Sequence, residues 1–446
     1  MRLLLRVAFL TAVAAGLQAK PPIMTPVDTP VIGEMDAYLI KNIYKSKDPS
    51  ASLASVQKDP AYQKLIRKHN LRLLGGPMVG SVTANSAKIW MRTTTAATVS
   101  VRLIGGGSPV PDVKAQTGPE GDFTAIVTLS GLTADTEYTY TVLVNGKPTR
   151  FKEAAFRTFP SKGQKTTFSV GFGGGARYNP PKEKIWSTIA SRNPVAFLFL
   201  GDNIYIDEPK WPNRQRAMYY RRQMHPDFQA LTSSTAIYSI WDDHDFGKND
   251  SSGGPHPFKP DWKLPVWRIF KQNWVNPGYG GGEKQPGCWY KFSIGDVEFF
   301  MTDGRYYRDF KKGKTMLGPV QKKWLLESLA ASKATFKVIA SGTLWTEHAD
   351  KGGKDSWWGV PEEREEIFSL IDRKKIGGVF LISADRHRTE VFKIKRPNGY
   401  TLYELETSKL TNNHTHRPNK AAIFSYNKGT FFGLMRFDFT KKDPTM

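Results

Sequence analysis

Short stretches in which apolar and polar residues alternate fill residues 76–160 of the chain. Alternation with a period of two predicts β-strands that bury one face and expose the other. Gly, Asn, Pro and Thr separate the stretches, and about seven strands within about 80 residues predict a small antiparallel β-sandwich. The clearest of the alternating stretches are residues 86–93, 98–104, 123–132, 136–146 and 148–158.

Residues 132–140 of this region read Leu-Thr-Ala-Asp-Thr-Glu-Tyr-Thr-Tyr. This segment resembles the equivalent part of fibronectin type III-like modules, and the resemblance implies a sandwich domain over residues 76–160. The region has no clustered polar side chains of the kind that a catalytic centre needs. We therefore expect it to have a structural role.

A different pattern begins after the polar linker at residues 161–164. Strand-length runs there are apolar at successive positions, which predicts a sheet covered on both faces, and stretches with helical periodicity lie between them. The chain is therefore expected to form an α/β layered domain over residues 165–446. The apolar runs, each taken together with the polar or glycine-rich cluster that ends it, span residues 167–175, 195–203, 236–245, 297–305, 336–343 and 378–387. The helical stretches are residues 182–192, 214–230, 320–333 and 362–374.

Two segments precede the alternating region. Residues 20–75 carry apolar side chains at roughly helical spacing and are expected to form short packed helices. Residues 1–19 place two arginines around a short apolar stretch and end in Leu-Gln-Ala, which is typical of a secretory signal peptide. An uncleaved anchor or a misassigned start is the alternative. With cleavage, the prediction is an exported protein, periplasmic or extracellular, without a transmembrane anchor.

The composition limits the chemistry. The chain has 446 residues, of which 39% are hydrophobic and 12% aromatic, so it can build more than one core. It contains a single cysteine, Cys288, which excludes an internal disulfide framework and a Cys-rich metal site. Any metal must therefore be held by carboxylate, imidazole, amide or phenolate groups.

The chain is strongly basic, with 64 Lys and Arg against 41 Asp and Glu and a net charge of +23. Such a charge attracts anions such as phosphate esters or acidic envelope polymers. Because the basic residues are scattered and no DNA- or RNA-binding signature is present, we expect no sequence-specific nucleic-acid partner. Solubility and surface adhesion alone are the alternative explanation of the charge.

Acidic residues follow two of the apolar runs directly. Asp202 and Tyr205 come after residues 195–200, where a carboxylate at a strand end faces a crevice and can bridge two cations. An aspartate that caps the next helix is the alternative for Asp202. Residues 241–245 read Trp-Asp-Asp-His-Asp, and their ionisable groups would repel one another unless a cation or an arginine compensates them. A solvated acidic turn is the alternative.

Two later runs end in the same way. Asp303 follows residues 297–302 together with Arg305 and Arg308, whose guanidinium groups can bind phosphoryl oxygens. Asp385 and His387 follow residues 378–384, and this spacing places a carboxylate and an imidazole on one side of an extended segment. Buried ion pairs are the alternative at each position. Four strand ends with one pattern in one domain favour a shared metal cluster.

Together these motifs resemble the alkaline phosphatase D (PhoD-like) metallophosphatase family. Its hallmarks are a GDxxY turn, a WDDHDxGxN block, a DxRxxR segment and a late DxHxxE motif. They correspond here to Asp202 with Tyr205, and to residues 241–249, 303–308 and 385–390. The resemblance covers about residues 74–440 and includes a fibronectin-like module before the catalytic domain.

The resemblance also implies a set of site residues. It implies that Asp242 supports the cluster and that Arg308 is a phosphate clamp. The implied metal ligands are Asp202, Tyr205, Asn249, Asp385 and His387. The implied catalytic residues are Asp202, Asp243, His244, Arg308 and His387.

This chain departs from the family at the first catalytic-domain strand. Family members studied as alkaline phosphatases have a cysteine ligand there in a Gly-Ser-Cys turn, whereas this chain reads Gly-Phe-Gly-Gly-Gly-Ala at residues 171–176. The loss removes a soft anionic ligand that would favour ferric iron. We therefore expect divalent metal ions, calcium first, with iron, manganese, magnesium or zinc as alternatives. Ala384 replaces the usual glycine before the late aspartate, which is a small change.

The expected function is that of an exported metal-dependent phosphoesterase. It would hydrolyse phosphate mono- or diesters through a metal-activated hydroxide. The alternative is a non-catalytic basic surface protein that binds envelope polyanions on a retained phosphatase fold.

Overall fold

The computed structural model describes residues 30–106, 112–151, 153–349 and 353–446. The predicted signal peptide at residues 1–19 lies outside these ranges. The first described segment is helical: α1 (Pro30–Leu39) continues into a π-helical turn (Ile40–Tyr44), followed by α2 (Leu53–Val56) and α3 (Pro60–His69). A buried ion pair of 2.6 Å between Asp36 of α1 and Arg221 anchors this segment to the α/β region.

Local signals explain the limits of α3. Asp59 accepts a hydrogen bond from the backbone N–H of Ala61 at 2.7 Å, and Pro60 occupies the first helical position, where no intrahelical donor is needed. Asn70 takes the left-handed conformation that ends the helix.

The alternating region forms antiparallel strands, but they are divided between two sheets. The strands are β1 (Leu73–Gly80), β2 (Ser86–Thr93), β3 (Ala97–Gly105), β4 (Val113–Thr117), β5 (Thr124–Ser130), β6 (Glu137–Val144), β7 (Lys147–Pro148) and β8 (Ala154–Arg157). Strands β3, β4, β6, β7 and β8 form a sheet of their own. Strands β1, β2 and β5 instead extend a sheet of the α/β region, where Gly80 pairs in parallel with Ile237. The predicted sandwich is therefore not separate, because one of its sheets is shared.

The α/β region alternates strands and helices in the predicted order. Its first elements are β9 (Thr167–Gly173), α4 (Ile185–Ala190), β10 (Ala196–Phe199), α5 (Pro212–Met224), α6 (Pro226–Thr232), β11 (Ala236–Ser239), α7 (Asp243–Phe246), α8 (Lys263–Asn273), β12 (Tyr290–Ile294) and β13 (Val297–Met301). The remaining elements are α9 (Gly318–Ala331), β14 (Phe336–Ala340), α10 (Pro361–Lys374), β15 (Val379–Ser383), β16 (Thr389–Lys395), β17 (Thr401–Thr407), β18 (Phe424–Tyr426) and β19 (Gly433–Asp438). None of the described helices is both long and apolar enough to cross a membrane.

The stretch predicted as one helix at residues 214–230 is two helices, α5 and α6. His225 between them has an extended backbone with ψ of 126°, because the following Pro226 disfavours the helical conformation in the residue before it.

Two seven-stranded mixed sheets form the centre of the molecule. One has the order β19-β9-β10-β11-β1-β2-β5, and the other has the order β12-β13-β14-β15-β17-β16-β18. The rings of Phe437 on β19 and Phe299 on β13 lie 6.4 Å apart and join the facing sides of the two sheets.

Burial on both faces explains the continuous apolar runs in the second sheet. On β13 and β14, Phe299 and Val338 belong to the core between the sheets, whereas their neighbours Phe300 and Ile339 belong to a second core. Leu325 of α9 and other helical residues complete that second core on the outer face. Successive residues of one strand thus pack into two cores, which favours apolar side chains at successive positions.

Candidate metal centre

The carboxyl ends of several strands meet at the glycine run that follows β9. The carbonyl of Gly174 accepts a hydrogen bond from the backbone N–H of Lys409, beyond β17, at 2.9 Å. A Cβ atom at position 174 would lie 2.6 Å from Cβ of Ala384 and 2.9 Å from the carbonyl oxygen of Gly201. Because only glycine permits this approach, the run brings the ends of β10, β15 and β17 together.

Asp202 lies beyond β10 at the centre of this meeting point and is 2% exposed. The hydroxyl of Tyr205 donates to Asp202 Oδ2 at 2.8 Å, and the backbone N–H of His244 approaches Oδ1 at 3.3 Å. The rings of Tyr205 and His244 lie 4.1 Å apart. The GDxxY turn and the WDDHD block, distant in sequence, therefore form one buried cluster.

His387 joins this cluster from the end of β15. Its Nε2 lies 2.8 Å from the hydroxyl of Tyr205 and 3.3 Å from the side-chain nitrogen of Asn412. The backbone N–H of His387 donates to Oγ of Ser408 at 2.6 Å, which fixes the turn. The structure therefore brings Asp202, Tyr205 and His387 into contact.

The backbone is strained at three of the predicted site residues. Asp202, Asp385 and His387 have φ angles of 50°, 83° and 51°, in the left-handed region that non-glycine residues rarely adopt. Such strain persists only where the surrounding structure holds it, and it is concentrated at functional sites.

Asp243 connects two groups of potential ligands. Ligand atoms of Asp202, Asp243 and His244 all lie within 4.8 Å of one another, and so do those of Asp243, Asp250 and Asp355. The backbone N–H of Asp250 donates to Asp243 Oδ2 at 2.6 Å. The carboxylate of Asp243 is thus shared by two adjacent sets of oxygen and nitrogen ligands.

Two carboxylates of this cluster, those of Asp202 and Asp242, are poorly compensated by the protein. Burial raises the pKa of Asp202 well above its usual range, and the carboxylates of Asp243 and Asp242 add to the rise, while His244 opposes it. Burial also raises the pKa of Asp242 well above its usual range in spite of the neighbouring Arg305. Negative charge crowded in a buried pocket is the environment that a divalent cation stabilises.

His244 is oriented by a carboxylate that the sequence did not single out. Its Nδ1 lies 2.6 Å from Oδ1 of Asp207. Burial lowers the pKa of His244, but the carboxylates of Asp243, Asp202 and Asp207 outweigh burial, so that the net pKa lies well above the usual value.

Two buried arginines flank the acidic groups. Nε of Arg305 donates to Asp242 Oδ1 at 2.5 Å, and Nη1 donates to Asp355 Oδ1 at 2.8 Å. Arg308 forms an ion pair with Asp355, and its Nε and Nη1 are buried without a hydrogen-bond partner among the described residues. Arg305 therefore compensates part of the acidic charge, and Arg308 retains donors that could bind an oxyanion.

The donor set fits a divalent metal centre. Asp242 Oδ2 and His387 Nδ1 are buried and have no hydrogen-bond partner among the described residues. Carboxylate, imidazole and phenol donors suit the hard and borderline divalent ions. Asn249, in contrast, is exposed to solvent, so its assignment as a ligand stays a prediction.

Asp303 has a structural environment instead. Its carboxylate accepts hydrogen bonds from Nε1 of Trp241 at 2.7 Å and from the backbone N–H groups of Arg305 and Cys288, both at 2.9 Å. Cys288 is fully buried, and burial raises the pKa of its thiol. Among the described residues, no group with metal-ligand spacing includes this cysteine.

Several residues near the cluster were missed by sequence reasoning. Asp355 lies in a loop and does not follow an apolar strand, and Asp207 lies beyond the GDxxY turn. The His-x-His pair at positions 414 and 416 lies in a loop after β17 and was the one signal in the sequence that could have been used. The ring centroids of His414 and His416 both lie within 6 Å of the ring centroid of His387.

The mixed sheets and the ligand cluster at their strand ends define a metallophosphatase-type fold. A model of the PhoD-like phosphatase family matches residues 170–441, and the chain belongs to this family. The preceding residues 70–164 match a domain of unknown function (DUF7800).

Individual relatives agree with the family assignment. Alkaline phosphatase D of Bacillus subtilis (strain 168) is 27% identical over 141 residues, which cover 27% of this chain and 23% of that protein. The matched part thus spans about a quarter of the length of this curated relative.

Two solved structures share the fold. The structure of PhoD has a TM-score of 0.71 at 15% identity and covers 83% of this chain and 85% of that chain. The purple acid phosphatase PPD1 from yellow lupin (Lupinus luteus) seeds has a TM-score of 0.55 at 14% identity and covers 81% of this chain and 70% of that chain. Metallophosphatase-type relatives imply divalent metal ions, and the described residues offer candidate clusters for them.

Proposed function

We propose that this chain is a metal-dependent phosphoesterase that hydrolyses phosphate mono- or diesters. The observation that carries the proposal is the buried group of Asp202, Asp243 and His244, whose ligand atoms all lie within 4.8 Å of one another. Tyr205 and His387 extend this group by contacts of 2.8 Å. Membership of the PhoD-like phosphatase family supports the same activity.

The metal centre would be held by Asp202, Tyr205, Asp385 and His387, with Asn249 as a further predicted ligand. Divalent ions bound there supply a Lewis acid that activates water and neutralises charge on the phosphoryl oxygens. Because most of these donors are oxygen atoms and none is a thiolate, we favour calcium, with manganese, magnesium, zinc or iron as alternatives.

The remaining residues would position the substrate. Arg308, whose Nε and Nη1 are buried without a partner among the described residues, would bind a phosphoryl oxygen. His244, whose Nδ1 is held by Asp207, would present its Nε2 to the substrate or to an ion. Arg305 would act indirectly, since it pairs with Asp242 and Asp355 and so limits repulsion around the cluster.

The proposal includes an exported protein that, without residues 1–19 and their two arginines, keeps 62 Lys and Arg against 41 Asp and Glu. This net charge of +21 draws acidic envelope polymers or phosphate esters to its surface. Cell fractionation and N-terminal sequencing of the purified protein test export. A protein retained in the cytoplasm with an intact N-terminus would contradict it.

Metal removal and replacement test the activity. The purified chain is treated with a chelator and then given one divalent metal at a time, and hydrolysis of p-nitrophenyl phosphate and its bis ester is measured. We expect activity to disappear with the chelator, to return with metal, and to fall at least about 1000-fold in Asp202→Asn. The matched control is Asp261→Asn, an exposed aspartate whose loss should leave activity unchanged.

One experimental result would favour a non-catalytic polyanion-binding protein over the proposed phosphoesterase. If the chain binds polyphosphate but hydrolyses neither ester with any metal, the non-catalytic surface protein is the better description.

A further inference from the structure

Three imidazoles gather beside the cluster described above. His387 follows β15, and His414 and His416 lie in the loop after β17. One ring nitrogen from each lies within 4.8 Å of the others. The ring centroids are 5.3 Å apart for His387 and His414, 5.7 Å for His387 and His416, and 4.6 Å for the loop pair.

Hydrogen bonds hold the loop that carries two of these rings. The backbone N–H of His414 donates to Oδ1 of Asn412 at 3.0 Å, and Nδ2 of Asn427 donates to the carbonyl of His416 at 2.9 Å. Nζ of Lys182 donates to the carbonyl of Asn412 at 3.1 Å. The loop is therefore fixed on both sides of the imidazole pair.

The buried member of the group has an unused nitrogen. His387 is 7% exposed, and its Nδ1 has no hydrogen-bond partner among the described residues. A buried polar atom without a partner costs about 1–3 kcal/mol. A ligand that accepts its lone pair would remove this cost.

Two residues of the glycine run leave no room for a side chain beside His387. Gly175 has a φ of +69°, and a Cβ atom there would lie 2.8 Å from the backbone nitrogen of Lys409 and 3.3 Å from Cδ2 of His387. A Cβ at Gly174 would meet Ala384 at 2.6 Å. A side chain at either position would clash, so the potential ligands that the described residues offer beside this part of the run are the three imidazoles.

We propose that His387, His414 and His416 form a nitrogen-donor site for a divalent transition ion of the zinc class. Three imidazoles with an open fourth position are an established zinc environment, and imidazole selects zinc over calcium. In a tetrahedral zinc site with bonds of about 2.0 Å, the nitrogens lie about 3.3 Å apart. His414 is exposed, so rotation of its ring can bring its nitrogen to that distance.

The three-histidine site shares one residue, His387, with the proposed metal centre, and this inference rests on the proposed function through that residue alone. His414 and His416 belong to the new site alone. The two sites can therefore be separated by mutation.

Cobalt and zinc binding test the site in the full-length, metal-stripped chain. Bound Co²⁺ gives visible absorption whose intensity reports a low-coordinate site, and a chelator competition with Zn²⁺ gives the affinity. The variants are His414→Gln and His416→Gln, and the matched control is His69→Gln, a histidine at the end of α3 that pairs with Glu34. Circular dichroism confirms that each variant is folded.

We expect an intense cobalt band and at least one tight zinc equivalent in the wild type, in the control and in Asp202→Asn, since the last of these variants impairs only the proposed metal centre. Each loop variant should lose the band and weaken zinc binding at least 10-fold. Wild-type zinc affinity in both loop variants, or a band that disappears in Asp202→Asn but not in them, would overturn the inference. Zinc binding as predicted without phosphoesterase activity would refute the proposed function and leave this site intact.

Discussion

Two buried aspartates with the same sequence signature have opposite environments. Asp202 and Asp303 each follow a largely apolar strand that pairs in parallel with at least one neighbour, and both are at most 2% exposed. Asp303 accepts hydrogen bonds of 2.7–2.9 Å from Trp241, Arg305 and Cys288. Asp202 has one short hydrogen bond, from Tyr205, and faces the carboxylates of its own cluster.

The difference shows how a structural carboxylate is distinguished from a candidate ligand. A buried carboxylate that is satisfied by protein donors stabilises the fold by itself. One that is crowded by other carboxylates and short of donors needs a cation. Position at a strand end does not distinguish a structural carboxylate from a candidate ligand, since Asp202 and Asp303 share it.

The largest expected effect comes from replacing Arg305, whose guanidinium group is the positive charge that the protein itself places beside Asp242 and Asp355. Arg305→Met leaves Asp242 and Asp355 buried without their shared partner and should lower the free energy of unfolding by about 3–5 kcal/mol. Urea denaturation measures this change. The exposed pair of Arg268 and Glu283 supplies the control Arg268→Met, which should cost less than about 1 kcal/mol.

A double variant separates the effect of the lost charge from the effect of lost packing. Adding Asp242→Asn to Arg305→Met should recover part of the lost stability, because the uncompensated charge is removed. No recovery, or equal losses in Arg305→Met and Arg268→Met, would mean that Arg305 does not compensate the cluster.

Asp303→Asn should lower the free energy of unfolding by about 2–3 kcal/mol, because the amide turns a donor toward groups that are themselves donors. The metal content of the folded protein should be unchanged. Denaturation and elemental analysis of the same preparation measure both. Loss of metal without loss of stability would move Asp303 into the metal centre.

Cys288→Ser should cost about 1 kcal/mol of stability, because a hydroxyl replaces a thiol in a buried apolar site. Activity and metal content should equal those of the wild type. Their joint loss would show that Cys288 supplies the thiolate missing from the glycine run.

The smallest expected effect is optical. If divalent ions occupy oxygen and imidazole ligands, the purified protein is nearly colourless and Tyr205→Phe leaves its visible spectrum unchanged. An absorption band that scales with iron content and vanishes in Tyr205→Phe would instead establish ferric iron bound to the phenolate.

The sequence predicted the parts of the fold that depend on local pattern. Continuous apolar runs became β10, β13, β14 and β15, since both faces of these strands are covered. Alternation predicted β2 at residues 86–93 with its observed bounds. The sharing of a sheet between the two regions escaped prediction, because the pairing of Gly80 with Ile237 joins residues far apart in sequence.

The sequence indicated which residues would cluster only where they follow strands. Asp202, Tyr205 and His387 follow strands directly, so the topology brings them together. Asp355 and His414 lie in loops whose course depends on tertiary contacts, and no local pattern indicates where they point. The helix α8 was missed as well, since Pro265 interrupts the helical pattern of its sequence.

The most direct test of the account compares metal content in Asp202→Asn and Asp303→Asn. We expect Asp202→Asn to lose metal and activity while its metal-free form is at least as stable as the metal-free wild type, because the substitution relieves crowding of negative charge. Asp303→Asn should retain metal and lose stability. Wild-type metal content and activity in Asp202→Asn would contradict the assignment of this cluster as the metal centre.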